Sequence, residues 1–192
     1  MSLQFISDRV SVNANAEGVS VVITPRLPRH QEALLVAWTL AWTACGIWFI
    51  VELARTTDAS LRQGLLVMVA FWAYFELRIG RVLLWRLRGI ELIRIRRDAR
   101  GAMITLKDNI LGYGRARDHF VANIQRFGLL AIDESSLRWQ LQDSFWVRGG
   151  ERLGFEDTGR KVAFGKGLTR KEAEAVAAVL EKGLKQARKA EA

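Results

Sequence analysis

Between Ala33 and Ala54 the chain reads ALLVAWTLAWTACGIWFIVELA, an apolar run in which Glu52 is the one charge. At 1.5 Å per residue a helix of that length covers a hydrocarbon core of about 30 Å. A polar stretch, RTTDASLRQ (55–63), follows, and a second apolar run extends unbroken from Gly64 to Phe75. So short a link predicts two antiparallel, neighbouring helices. The second run then meets Glu76, Arg78 and Arg81 before VLLW resumes at 82–85. Pairing the helices symmetrically about the link sets Glu76 beside Trp38–Leu40, roughly 8 Å inside the boundary marked by Ala33. Arg81 falls near that boundary, where its long stem can snorkel. The expectation is a transmembrane helical hairpin over residues 31–87, its charge gathered at one end of the second helix. Glu76 shares a face with Trp72 and Gly80 rather than with the arginines. It is therefore expected to face Thr39 or Thr43 of the first helix, or a helix of another protein, with Gly80 allowing close approach.

Beyond the hairpin the periodicity changes from helical to alternating. In GIELIRIRR (89–97), Ile93 and Ile95 alternate with Arg94 and Arg96, the pattern of a half-buried strand. DARG (98–101) reads as a turn and AMITL as the returning strand. Further strand-like runs are HFVANI, GLLAI, LRWQLQDSFWV, RLGFED and RKVAFG, separated by turn signals at 148–150 and 157–159. GVSVVITPR (18–26) reads as a strand before the hairpin, so the hairpin is expected to interrupt the strand order of a β-domain. The chain then divides into an N-terminal segment with a strand (1–30), the hairpin (31–87) and a β-domain (88–192).

The end of the chain carries helix signals. Thr169 and Glu172 form a capping box, with Leu168 placed to staple onto Ala173. Ala173, Val176, Ala177, Leu180 and Leu184 make one apolar stripe. Lys182, Lys185, Arg188 and Lys189 suit the negative end of the helix dipole. The fold class expected is α+β: short antiparallel strands closed by one amphipathic C-terminal helix.

The order of a leading strand, a membrane hairpin, WRLRGIE (85–91), a run of strands and GRKVAFGKGLTRKEA (159–173) resembles membrane-anchored bacterial pleckstrin-homology-like proteins. It is similar in outline to the photosystem I assembly factor family, which also joins two membrane helices to a β-rich domain ending in a helix. The resemblance spans most of residues 17–187. It implies a PH-like, partly open antiparallel β-barrel and a scaffolding or assembly role without catalysis.

Charge adds an orientation. Of the net charge of +9, seven positive charges lie in residues 87–192. The link offers Arg55 and Arg62, offset by Asp58. The other side offers Arg26, Arg29, Arg86, Arg88, Arg94, Arg96, Arg97 and Arg100. The positive-inside rule then places both termini in the cytoplasm of a bacterial inner membrane. No cleaved signal peptide is expected from MSLQFISDRV. Arg94, Arg96, Arg97 and Arg100 form a basic run that either binds anionic lipid headgroups or only sets topology. A nucleic-acid partner is not expected, because aromatic interleaving is absent.

Candidate chemistry is sparse. The single cysteine, Cys45, and the distant His30 and His119 provide no metal-ligand spacing. LGYGRARD (111–118) lacks the third glycine of a dinucleotide loop and reads as a turn. No cofactor, metal or catalytic residue is expected. The function expected is a membrane scaffold or assembly factor that contacts lipids and other membrane proteins, with a headgroup sensor as the alternative and a membrane enzyme acting through Glu76 as a weaker one. The oligomeric state is left open.

Overall fold

The computed structural model describes residues 2–15 and 18–189. Two compact units are present, one formed by Met1–Arg26 with Leu87–Ala192 and the other by Leu27–Arg86. Among the described residues there are nine strands and four α-helices, with every strand pairing antiparallel.

The first unit holds a six-stranded sheet in sequence order: β1 (Ser2–Phe5), β2 (Val10–Asn15), β3 (Gly18–Ile23), β4 (Gly89–Asp98), β5 (Gly101–Ile110) and β6 (Ala116–Phe120). A 3-10 turn at Val121–Asn123 leads to a second sheet of β7 (Ile124–Leu129), β8 (Glu151–Asp157) and β9 (Arg160–Lys166). β3 pairs with β4, Val21 opposite Ile93 and Val19 opposite Ile95, so the helical pair is inserted between two neighbouring strands. Inward positions alternate along the strands. Val10, Val12, Val21, Ile93, Ile95 and Ile104 are buried from one sheet, Leu153, Phe155 and Phe164 from the other.

α4 (Arg170–Lys189) contributes the third part of this core. The capping box forms as its sequence predicts: the Thr169 N–H donates to Glu172 Oε2 at 2.8 Å, and the Glu172 N–H donates to Thr169 Oγ1 at 3.3 Å. Ala173, Val176, Leu180 and Leu184 are buried, and Ala177 packs at the rim of the same core. Arg9, in the turn between β1 and β2, donates to Glu172 Oε2 at 2.8 Å and ties that turn to the start of the helix.

Two strand expectations are corrected. LRWQLQDSFWV holds no strand; Leu137–Gln142 is a short helix, α3. The Ser136 side chain accepts from the Trp139 N–H and caps it, and the Arg152 guanidinium lies 4.9 Å from the centre of the Trp139 ring. Local capping and a cation–π contact outweigh the β propensity of the aromatics. HFVANI is likewise split, with β6 ending at Phe120 and β7 beginning at Ile124. The N-terminal strands β1 and β2 are additional to the single leading strand expected.

The second unit consists of α1 (Arg29–Arg55) and most of α2 (Ala59–Arg88). Asp58 accounts for the early start of α2. Its side chain accepts from the Leu61 N–H at 2.8 Å, an N-cap that converts most of the expected polar link into helix. By length and apolarity α1 can cross a membrane, and only 17% of its apolar window is buried within the chain. α2 does not meet that criterion, because Glu76, Arg78 and Arg81 interrupt it; one candidate span stands where two were expected.

Candidate functional site

The residues singled out on the helices separate into those that meet and those that do not. Glu76 Oε1 lies 2.8 Å from the Thr43 hydroxyl, which is also 2.8 Å from the Thr39 carbonyl. The hydroxyl carries one proton, for which the two acceptors compete. Thr39 does not reach Glu76; its hydroxyl donates to the Leu35 carbonyl of its own helix. Close approach occurs at Gly46, where an added Cβ would sit 1.8 Å from the Trp72 ring, while Gly80 meets nothing within 4 Å. Trp72 is fixed there by donating Nε1–H to the Trp42 carbonyl at 3.0 Å. The close-packed glycine of the pair is therefore Gly46, not Gly80.

The basic run is only partly free. Arg94 and Arg96 occupy the outward face of β4, as the alternation requires, and Arg100 lies in the turn after it. Arg96 is 4.0 Å from Asp118, and Arg100 is 3.6 Å from Asp98. Arg94 and Arg97 are exposed and have no ion pair among the described residues.

A different charged cluster lines a cleft of about 320 Å³ in the β-domain, formed by β4, β5, the start of β6, β9 and Arg148. The strand period of two builds it. Leu106, Asp108 and Ile110 lie on β5, Arg115 just before β6 and Arg117 within it, and Val162, Phe164 and Lys166 on β9. Glu91 and Asp108 are direct cross-strand partners. Two carboxylates in that position repel, and Lys166 from the other sheet answers both. Its Nζ lies 2.9 Å from Asp108 Oδ2 and 3.6 Å from Glu91 Oε1, and Arg148 reaches Asp108 at 2.8 Å.

Glu91 is the most enclosed charge in the cleft, 2% exposed. The N–H groups of Gly165 and Lys166 donate to its two oxygens at 3.1 and 2.8 Å. Gly165 has φ +78°, a conformation other residues resist, which aims consecutive N–H groups at one carboxylate. Burial pushes the Glu91 carboxyl above its ordinary value, with Asp108 adding to the effect; Lys166 and the two N–H groups offset part of it. Glu172 moves the other way. Burial pushes it up, but the Thr169 N–H, the Ser7 hydroxyl and Arg9 together hold it below the ordinary carboxylate range.

Leu111 and Gly112 make the tight turn between β5 and β6, closed by reciprocal bonds between Ile110 and Tyr113 at 2.8 and 2.9 Å. Leu111 has φ +52°, a left-handed conformation costing a branched-chain residue about 1 kcal/mol. Leu111→Asn is expected to raise the thermal midpoint of the full chain in detergent. An unchanged or lower midpoint would mean that the leucine side chain contributes more than its backbone costs. Beside it, Gly114 lies so close to β5 that a Cβ would meet the Asp108 carbonyl at 1.9 Å. That contact folds the turn back over the cleft.

Sequence alone passes over this cleft. Its local signal is present: Glu91 and Asp108 stand at inward positions of strands that are otherwise apolar. What local sequence does not supply is the register that places Lys166 between them. His119, also inward-facing, pairs with Asp157 of β8 at 2.6 Å and rests edge-on against Phe155, joining the two sheets. Among the described residues no group of three or more His, Cys, Asp or Glu side chains could hold a metal ion. Comparison with family models, curated proteins and solved structures finds no match.

Proposed function

We propose that the chain is an integral membrane, non-catalytic scaffold or assembly factor, whose hairpin holds a PH-like cytoplasmic domain at a bacterial inner membrane. The observation that carries this reading is the surface of the helical pair. Trp38, Leu40, Ile47 and Trp48 on α1, and Leu66, Val67, Phe71 and Leu77 on α2, are all more than half exposed. Such surface around both helices is costly in water and ordinary in lipid. It supports two spans despite the charges in α2, since Glu76 is hydrogen-bonded to Thr43 and the Arg78 guanidinium rests against Tyr74. The PH-like reading is supported by four consecutive strands, β3 to β6, followed by three, β7 to β9, and a helix packed into the core.

Topology follows from the arginine asymmetry. Reporter fusions at Asp58 are expected to read as outside the cytoplasm, and fusions after Ala192 as inside. Resistance to carbonate extraction should accompany them. Full release by carbonate, or a cytoplasmic signal at Asp58, would overturn the two-span anchor.

A second reading is a sensor of anionic headgroups. It is favoured by Arg94 and Arg97, the two exposed arginines of the basic run that lack an ion pair among the described residues. Arg96 and Arg100, paired with carboxylates, contribute less to it.

A further inference from the structure

The charges of the cleft do not cancel. Four cations, Arg115, Arg117, Arg148 and Lys166, line it together with two carboxylates, Glu91 and Asp108, leaving an excess of two positive charges when both carboxyls are ionised. The surplus is localised. Asp108 engages Lys166 and Arg148, and Glu91 is held by Lys166 and two backbone N–H groups. Arg115 and Arg117 are exposed, and neither side chain has an ion pair or hydrogen bond among the described residues.

The backbone that carries them is held in place. They stand two residues apart on one side of an extended segment, roughly 7 Å along the chain. The Leu111–Gly112 turn and the close approach of Gly114 to β5 fix that segment over the cleft. Tyr113, in the same turn, adds a phenol at the mouth. Two arginines lining one opening favour an oxyanion, which guanidinium groups bind through forked hydrogen bonds. Charge then selects among oxyanions: a phosphate monoester carries about −1.5 to −2 near neutral pH, whereas a carboxylate or a phosphodiester carries one charge. The volume lies at the lower end for ligand sites, roughly 300–1,000 Å³, which suits a compact headgroup.

We propose that this cleft binds a phosphate monoester through Arg115 and Arg117, with Lys166 and Arg148 neutralising the two carboxylates behind them. The inference does not depend on the scaffold role or on the headgroup reading of the run at 94–100. The ester can be a free metabolite or the headgroup of a lipid, because both present the same dianion.

The test uses the full chain in a neutral detergent. Calorimetric titrations would compare glycerol 3-phosphate with dioctanoyl phosphatidic acid, both monoesters, against dioctanoyl phosphatidylglycerol, a diester. Saturable binding of at least one monoester is expected, with the diester about tenfold weaker or worse. Binding of both monoesters indicates a free-standing phosphate site, and binding of the lipid alone a headgroup site. R115Q/R117Q should weaken the monoester by about a hundredfold, since charge-assisted hydrogen bonds are the strong ones, without moving the thermal midpoint. R115K/R117K, which keeps the charge but loses the fork, should fall between. K182Q/K185Q removes the same charge from an exposed face of α4 outside the cleft and should bind as the wild type does. The proposal is overturned by absence of saturable monoester binding, by equal affinity for monoester and diester, or by K182Q/K185Q weakening binding as much as R115Q/R117Q.

Discussion

Replacing Lys166 by methionine is expected to destabilise the full chain in detergent by about 3 kcal/mol at about pH 7.5, because it leaves the buried Glu91 carboxylate without its counter-charge. Lys166 Nζ is the cation that serves both Glu91 and Asp108, and Glu91 is almost fully enclosed. Arg148 still holds Asp108 in the variant, so the loss concentrates on Glu91. The pH dependence identifies it. The Glu91 carboxyl already titrates above its ordinary 4.5 in the folded state. A group with a raised folded pKa stabilises fully below the unfolded value and loses that contribution as pH rises through the folded one. Removing the ammonium raises the folded value further, so the variant regains stability on acidification by taking up a proton at Glu91.

The gap between wild type and Lys166→Met should therefore narrow between about pH 7.5 and about pH 5. Measurements should stop there, because Glu172 has the opposite sign. Its folded pKa is depressed, and its contribution is lost as pH falls below the ordinary carboxylate range. Adding Glu91→Gln to Lys166→Met should recover much of the loss, a non-additivity expected of groups in contact. An equal cost at both pH values with no rescue would show that the lysine acts through its packed stem rather than its charge.

Local signals make parts of this architecture legible and leave others hidden. The C-terminal helix is readable because its capping box and apolar stripe lie within a few residues of each other. The β4–β5 hairpin is readable because Ile93 and Ile95 alternate with arginines up to a tight turn. α3 is misread because periodicity in LRWQLQDSFWV is ambiguous, and its decisive contacts involve Ser136 and the distant Arg152. The β-domain is also larger than its local pattern suggests. Its unit includes Met1–Arg26, so a fragment beginning at Leu87 would lack β1, β2 and β3 and expose the edge of β4. The cleft is hidden for the same reason, since strand register, not local sequence, brings residues 91, 108 and 166 together.

Gly46→Leu is expected to separate α1 from α2. The new side chain would occupy the position of the Trp72 indole, because a Cβ at residue 46 would lie 1.8 Å from that ring. The indole is not free to swing away without cost, since its Nε1–H is held by the Trp42 carbonyl. Overpacking of this kind costs about 1–3 kcal/mol, and the displaced indole also loses its hydrogen bond. The midpoint of unfolding of the full chain on titration with sodium dodecyl sulfate would measure it. Gly80→Leu should leave that midpoint near wild type, because nothing in the chain lies within 4 Å of a Cβ at Gly80. Glu76→Leu should destabilise the pair by about 0.6 kcal/mol, the average for hydrogen bonds between membrane helices, and Glu76→Gln by less, since the amide can still meet the Thr43 hydroxyl. If Gly80→Leu costs as much as Gly46→Leu, the Gly80 face is covered by a helix from another molecule. The glycine named by sequence would then mark an intermolecular contact, with Gly46 keeping the intramolecular one.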